Sequence, residues 1–221
     1  MARSPDHPIL LGHRGARASR DVPENTLASF DLCLEHDCDG FEFDVRLSLD
    51  GVAVICHDPA IHGRKLERKR IDRTPAHQLA LPTLDEVLKQ FSGRAFLDIE
   101  LKVPGLETSL LAALDEYPPS QGYVVSSFLP EVLKDVHRLN PAVPLGYLYD
   151  QSPSRILDVP VAWMIPHLSL VTGKLIDDVH SMDRKVMVWT VNRSSDIRRL
   201  APWGVDAIIS DDTRLLADSF R

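Results

Sequence analysis

Phe41-Glu42-Phe43-Asp44-Val45-Arg46-Leu47 alternates apolar and charged residues without a break. Successive strand side chains point to opposite faces, so Phe41, Phe43, Val45 and Leu47 share one surface while Glu42, Asp44 and Arg46 share the other. Taken alone, such a strand usually turns its charged face to water. Phe96-Leu97-Asp98-Ile99-Glu100-Leu101-Lys102 repeats the pattern, with Leu97, Ile99 and Leu101 on one side and Asp98, Glu100 and Lys102 on the other. Two strands with paired carboxylates on a single face point to a shared site.

Outward from these strands, short apolar runs recur at Ile9 to Leu11, Tyr123 to Val125, Pro144 to Leu148, Val161 to Ile165, Lys185 to Val191 and Ala207 to Ile209. With Phe41 to Leu47 and Ala95 to Leu101 they make eight strands. Helical segments are expected between them: Thr26 to His36, Leu84 to Phe91, Leu106 to Tyr117, Pro130 to Leu139, Ser154 to Leu157, Lys174 to Met182, Ser194 to Leu200 and Arg214 to Phe220. Strands alternating with helices pair in parallel through crossovers, and eight such units close a barrel. The expected fold is therefore α/β, a single (β/α)8 TIM-type barrel over residues 1–221. An open doubly wound sheet is the alternative, but no Gly-rich phosphate fingerprint follows the first strand.

Leu47-Ser48-Leu49-Asp50-Gly51-Val52-Ala53-Val54 breaks the plain alternation, because Asp-Gly between two apolar runs signals a two-residue hairpin after strand 2. With Leu49 facing Val52, the register carried outward sets Asp44 opposite His57, so that both project on the charged face. A bulge near the site would alter that register. Residues 59–83 form a short insert whose basic run, Gly63 to Arg73, holds six basic residues against Glu67 and Asp72. It reads as a solvated loop, with room for a role at the mouth of a site for an anion.

The 221 residues are 44% hydrophobic and 26% charged, which suits one domain with a full core. The net charge of -7 disfavours nucleic acid and anionic membrane as general partners. Cys33, Cys38 and Cys56 follow no metal or redox spacing and are expected as free thiols in a reducing compartment. The N-terminus MARSPDHPIL has no apolar signal core, and no window has the length of a membrane span, so a cytoplasmic protein without stable membrane insertion is expected. The oligomeric state is left open.

In a parallel barrel the active site forms at the C-terminal ends of the strands. Those ends hold His13 and Arg14, Glu42 and Asp44, Glu100 and Lys102, Ser126 and Ser127, His167, Trp189 and Asn192, and Asp211. Glu42, Asp44 and Glu100 make an all-oxygen cluster suited to a hard divalent cation, Mg²⁺ or Ca²⁺. The plainer alternative is salt bridging across the barrel to Arg14, Arg46 or Lys102. His13 and His57 suit acid-base work, and Arg14 and Lys102 offer positive charge to an anionic group. These parts together describe phosphoryl chemistry.

His13-Arg14-Gly15, Pro23-Glu24-Asn25-Thr26, Glu42-x-Asp44, Asp50-Gly51 with His57-Asp58, Pro82-Thr83-Leu84, Glu100-x-Lys102, Ser126-Ser127-Phe128, Trp189-Thr190-Val191-Asn192 and Gly204-Val205-Asp206 occur in that order. The ordered set resembles the motifs of the glycerophosphodiester phosphodiesterase family, over nearly the whole chain. The resemblance implies a TIM-type barrel that hydrolyses a small-molecule glycerophosphodiester to sn-glycerol 3-phosphate and an alcohol. It implies Glu42, Asp44 and Glu100 as metal ligands, His13 and His57 as general acid and base, and Arg14 and Lys102 on the phosphate. It places Glu24 and Asn25 at the site or bracing it, and Trp189 as an apolar wall, although a strand Trp is often simply core. Asn192 is grouped with that pocket, and Asp211 has a helix cap as its plainer role.

Two departures bear on specificity. The family's usual inserted subdomain is reduced here to residues 59–83, and the loop before Pro23 carries Arg17 and Arg20, which would add contacts to phosphate. A lysophospholipase D-type enzyme is the enzymatic alternative and would need an apolar lip, for which Leu79 and Leu81 are candidates. A non-catalytic barrel that binds a phosphorylated metabolite is the other.

Overall fold

The computed structural model describes residues 7–62, 68–151 and 160–221. In chain order the strands are β1 (Ile9–His13), β2 (Gly40–Leu47), β3 (Ala53–Ile55), β4 (Ala60–His62), β5 (Arg68–Arg70), β6 (Phe96–Leu101), β7 (Tyr123–Ser127), β8 (Leu145–Tyr149), β9 (Trp163–Pro166), β10 (Lys185–Val188) and β11 (Ala207–Ser210). The helices are α1 (Leu27–Glu35), α2 (Leu84–Phe91), α3 (Glu107–Glu116), α4 (Pro130–Leu139), α5 (Gly173–His180), α6 (Ser194–Leu200) and α7 (Thr213–Asp218). Strands β1, β2 and β6 to β11 pair in parallel around a closed ring, with β1 joined to both β11 and β2. This is the expected eight-stranded barrel. The helix expected from Ser154 to Leu157 lies outside the described residues.

Helix starts follow local chemistry. Thr26 accepts from Ser29 N ahead of α1, and a reciprocal Thr83–Glu86 box opens α2. Pro130 occupies the first turn of α4, where its missing N–H costs nothing. Asp212, not Asp211, caps α7 by accepting from Leu215 N at 3.0 Å. The cap role considered for Asp211 is thereby corrected, and Asp211 is free for the barrel mouth.

The alternation in β2 and β6 separates two cores. Phe41 and Phe43 face outward into an aromatic cluster with Phe30 of α1 and Phe91 of α2, where Phe30 stacks on Phe41 at 4.2 Å. The barrel lumen is filled elsewhere by Leu11, Val124, Trp163, Ile165, Met187 and Ile209. The charged faces of β2 and β6 therefore look into the barrel, not into water. Glu42, Asp44, Asp98 and Glu100 are all nearly or fully buried.

The hairpin after β2 forms, in a different register from the expected one. Leu47 pairs with Ala53 and Val45 with Ile55, which sets Ser48 against Val52 and leaves a three-residue loop. A two-residue type I′ turn needs positive φ at both Asp50 and Gly51, and only Gly51 has it, at 79°. Asp44 thus bonds to Cys56 N at 2.9 Å, and His57 is not its ladder partner. The ladder ends at Ile55, and the bend that follows carries His57 to the mouth. The geometry works because β3 takes over, at Val45 to Leu47, the edge of β2 that β1 occupies at Gly40 to Glu42. His13 at the end of β1 and His57 just past β3 consequently approach β2 from the same side.

The basic run is not a plain loop. Residues 63–67 lie outside the described residues, but Arg68 to Arg70 pair with β4, and Ile71–Arg73 make a 3₁₀ turn. Leu79 is buried with Val54, Cys56 and Ile71, and Leu81 packs on the same cluster. Neither forms the exposed lip considered above. The three cysteines are free and buried. No helix among the described residues is long and apolar enough to cross a membrane.

Candidate active site

A cavity of about 130 Å³ opens at the C-terminal end of the barrel, lined by His13, Arg14, Glu42, His57, Glu100 and Lys102 on its charged side. Phe128, Leu148, Trp189 and Ile209 make the apolar side. The Trp189 ring packs edge-on with Phe128 and His167, and its Nε1 donates to Ile165 O at 3.0 Å. Phe128 and Leu148 were not singled out from sequence as site residues, although Ser126-Ser127-Phe128 carried part of the resemblance.

The turn that leaves β1 aims Arg14 back over the mouth. Arg14 has φ 52° and Gly15 φ 79°, and a Cβ on Gly15 would lie 2.4 Å from Ser29 Oγ, so only glycine fits there. The turn also points Arg14 N at Glu42 Oε2, 2.9 Å away. Asn25, itself at φ 56°, donates through Nδ2 to Asp44 Oδ2 at 2.8 Å. Glu24 receives Arg14 Nη1 at 2.8 Å and Arg17 Nε at 2.6 Å. Glu24 and Asn25 are thus braces: one sets the guanidinium, the other a carboxylate.

Glu42, Asp44 and Glu100 offer oxygens that all lie within 4.8 Å of one another. Glu42 Oε1 is buried without a hydrogen-bond partner, and Asp44 Oδ1, although 3.3 Å from Lys102 Nζ, has no donor aligned with it. Buried carboxylate oxygens are seldom left so, and a hard divalent cation supplies what they lack. The all-oxygen donor set is compatible with a hard divalent cation. The salt bridging weighed from sequence is present in part: Lys102 Nζ lies 2.6 Å from Glu100, and Arg14 Nε lies 3.2 Å from Asp44. The ion pairs engage one face of the cluster and leave its other oxygens open.

The titration of these groups follows from burial and crowding. Burial, then repulsion from Asp44 and Glu100, pushes the Glu42 carboxyl well above its usual range. Burial also raises Glu100 to about 7, against the pull of Lys102. Asp44 ends below its usual value because Lys102 and Arg14 together outweigh the effect of its burial. Asp98, opposite Glu42 in the β2–β6 register, accepts from Ser126 Oγ at 2.5 Å and is raised to about 7 by burial. Its place on the charged face was legible in the alternation, and it did not figure among the expected site residues.

Both histidines are oriented by carboxylates. His13 Nδ1 lies 2.6 Å from Asp211 Oδ1, and His57 Nδ1 lies 2.8 Å from Asp58 Oδ1. Burial opposes ionisation of Asp211, but the bonds from His13, Asn192 and Arg17 hold it down to about 2. A carboxylate only accepts, so His13 Nδ1 carries the proton and Nε2 is left toward the cavity, 3.9 Å from Glu42 Oε2. Asn192 sits behind Asp211 rather than in the cavity, donating to Asp211 Oδ2 at 2.6 Å and accepting its N–H at 2.9 Å. Arg17 Nη1 reaches Asp211 Oδ1 at 3.1 Å and closes the same side. The His57 ring is lowered in pKa, chiefly by burial, against the attraction of Asp44.

These shifts fix how metal-free stability depends on pH. Asp98 and Glu100 rise from 3.8 and 4.5 to about 7, so between those values the folded chain keeps protons that the unfolded chain has released. Stability therefore falls as pH rises through that window. Asp211 acts oppositely: its contribution is present above its unfolded value of 3.8 and is lost as pH falls toward about 2. Thermal melts in chelator should show Tm highest at about pH 4 to 5 and declining to pH 7.5. A Tm that climbs steadily from pH 4.5 to 7 would contradict this account of the cluster.

Comparison with known proteins agrees with this architecture. The family model of the glycerophosphoryl diester phosphodiesterase family matches residues 13–215. A glycerophosphodiester phosphodiesterase of Caldanaerobacter subterraneus is 31% identical over 239 aligned residues, covering 96% of this chain and 98% of that protein. The structure of an Oleispira antarctica phosphodiesterase in complex with the product sn-glycerol-3-phosphate superposes with a TM-score of 0.85 at 28% identity, covering 96% of each chain. The Thermotoga maritima glycerophosphodiester phosphodiesterase shares the fold, with a TM-score of 0.83 at 23% identity over 96% of this chain and 98% of that one. With its barrel closed, its mouth charged on one side and these likenesses running end to end, the chain belongs to the glycerophosphoryl diester phosphodiesterase family and is a phosphodiesterase.

Proposed function

We propose that this phosphodiesterase hydrolyses glycerophosphodiesters to sn-glycerol 3-phosphate and an alcohol, using a divalent metal and two histidines. The observation that carries the reading is the meeting, at one small cavity, of two histidines and two cations with a cluster of three carboxylates, two of which keep an oxygen without a hydrogen-bond partner. Glu42, Asp44 and Glu100 would hold Mg²⁺ or Ca²⁺, which when bound supplies positive charge to the phosphate oxygens. Arg14 and Lys102 bind the phosphate from the same wall, and their ion pairs with Asp44 and Glu100 keep them aimed there. His13 and His57 move protons between the attacking hydroxyl and the leaving alcohol. Glu24, Asn25, Asp58, Asp211 and Asn192 hold those groups in place. Trp189 and Phe128 exclude water from the apolar side and give the glycerol carbons a surface.

Release of glycerol 3-phosphate from several glycerophosphodiesters and from a lysophospholipid, with and without chelator, tests the reading. Cleavage of the water-soluble diesters that stops in chelator is expected. Arg14→Ala and Lys102→Ala should each lower kcat/KM by on the order of 10²-fold, with unchanged circular dichroism. Turnover confined to the lysophospholipid would favour the lysophospholipase D-type alternative. Binding of glycerol 3-phosphate without turnover of any diester would favour a silent barrel. Undiminished turnover in both variants would move the phosphate elsewhere.

A further inference from the structure

Arg46 follows Glu42 and Asp44 on the interior face of β2, one step beyond the carboxylates. Its Nε donates to His57 O at 2.8 Å, which ties the guanidinium to the segment carrying that histidine. The two terminal nitrogens of Arg46 find no hydrogen-bond or ion-pair partner among the described residues. Beside Arg46 a second cavity of about 350 Å³ opens, walled by Leu47, Leu49, Pro59, Ile71 and Val103. Val103 follows Lys102, and Pro59 lies two residues beyond His57, so this cavity begins where the wall of the catalytic one ends. The opposite side of the catalytic mouth is closed by Arg17, bridged between Glu24 and Asp211. Arg46, bonded to His57 O, lines this second cavity while His57 lines the catalytic one, so the two adjoin across that segment.

The charge of the second cavity is decided by Arg46. Arg70 and Asp72, also on its wall, are joined at 2.7 Å and cancel. Asp58, the acid beside His57, bonds to the His57 ring and feels the Arg46 charge, but it does not line this cavity. Among the described residues that line the cavity the charges are Arg46, Arg70 and Asp72, so Arg46 leaves this wall with a single positive charge in excess. A planar fork with free N–H donors matches a phosphate or carboxylate and repels a quaternary ammonium. The volume suits a sugar-sized polyol. We propose that this groove receives the alcohol portion of the diester and that Arg46 selects alcohols bearing a negative charge, such as phosphorylated polyols. The proposal rests on the phosphodiesterase reading above and goes further, by naming the class of leaving alcohol.

The test compares kcat/KM for a glycerophosphoinositol phosphate and for glycerophosphocholine. The wild type should favour the phosphorylated ester about tenfold or more, mainly through KM, as expected of hydrogen bonds to a charged group. Arg46→Gln should bring that ratio down about tenfold. A wild-type preference for the choline ester overturns the proposal. So does an Arg46→Gln variant that slows both esters alike, since the guanidinium would then only brace the His57 segment. Calorimetry with inositol monophosphate, in the presence of saturating glycerol 3-phosphate, reads the groove without turnover. Binding that weakens about tenfold in Arg46→Gln supports the proposal even if no diester is cleaved, in which case the phosphodiesterase reading alone fails. Absence of binding to the wild type overturns the proposal.

Discussion

Glu42→Gln, Asp44→Asn and Glu100→Gln should each lower kcat/KM on a glycerophosphodiester by on the order of 10³-fold or more, and a chelator should do the same to the unaltered enzyme. The expected size follows from what the cluster lacks. Its three carboxylates are buried together, and two of their oxygens have no hydrogen-bond partner, so each amide removes a charge that no neighbour replaces. The activity loss should come without loss of fold. In the metal-free chain Glu42 is crowded by Asp44 and Glu100, and the uncharged Gln keeps an oxygen for Arg14 N while relieving that repulsion. Metal-free Glu42→Gln should therefore melt no lower than the wild type at pH 7.5, and Mg²⁺ or Ca²⁺ should raise the Tm of the wild type only. A large drop in Tm would mean that Glu42 is a structural ion-pair partner. Full activity in chelator would remove the metal from the account altogether.

The charged side of this site was legible in the sequence because period-2 alternation is itself a statement about faces. Glu42, Asp44, Asp98 and Glu100 were placed on one surface by counting alone, and the barrel supplied the reason that the surface is interior. His57 was brought to the site by a register one residue out, and it arrived there by another route. The hairpin signal in Asp50-Gly51 fixes that a turn occurs, but the type of turn depends on the φ of Asp50, which no pattern of apolar residues encodes. The pairing of His13 with Asp211 is hidden for a different cause. The two residues are far apart in sequence and meet because β1 and β11 are neighbours when the barrel closes. Cap chemistry offered Asp211 a local role that Asp212 in fact performs, since adjacent aspartates are equivalent to a sequence rule and distinct to a backbone. Arg17 shows the same limit: its loop was expected to add cation to the phosphate, and instead it spans Glu24 and Asp211, holding the orienters of Arg14 and His13.

His13→Ala and His57→Ala should each cost about 10² to 10⁴ in rate, the range for general acid-base groups, while leaving metal binding intact. The two rings stand on one side of β2, each with Nδ1 engaged by a carboxylate, so that a single nitrogen of each is left for chemistry. Two such groups invite a path in two steps. In a glycerophosphodiester the hydroxyl next to the esterified carbon is held close to phosphorus, and a well-placed internal nucleophile gains an effective molarity on the order of 10⁵ M or more. That hydroxyl is expected to attack first: one histidine takes its proton, the other gives a proton to the departing alcohol, and a cyclic phosphate forms. Water then opens the ring with the histidines in exchanged roles, which returns both to their starting states. Asp211→Asn should impair this cycle without touching the substrate, because an amide lets His13 take the wrong tautomer, and the pH profile of kcat should shift as well as its height. The decisive probe is a diester whose glycerol lacks that hydroxyl. Little or no cleavage, together with a cyclic phosphate trapped from the parent substrate, is the expected result. Cleavage as fast as the parent would show that water attacks directly, and the pair of histidines would then serve a single displacement.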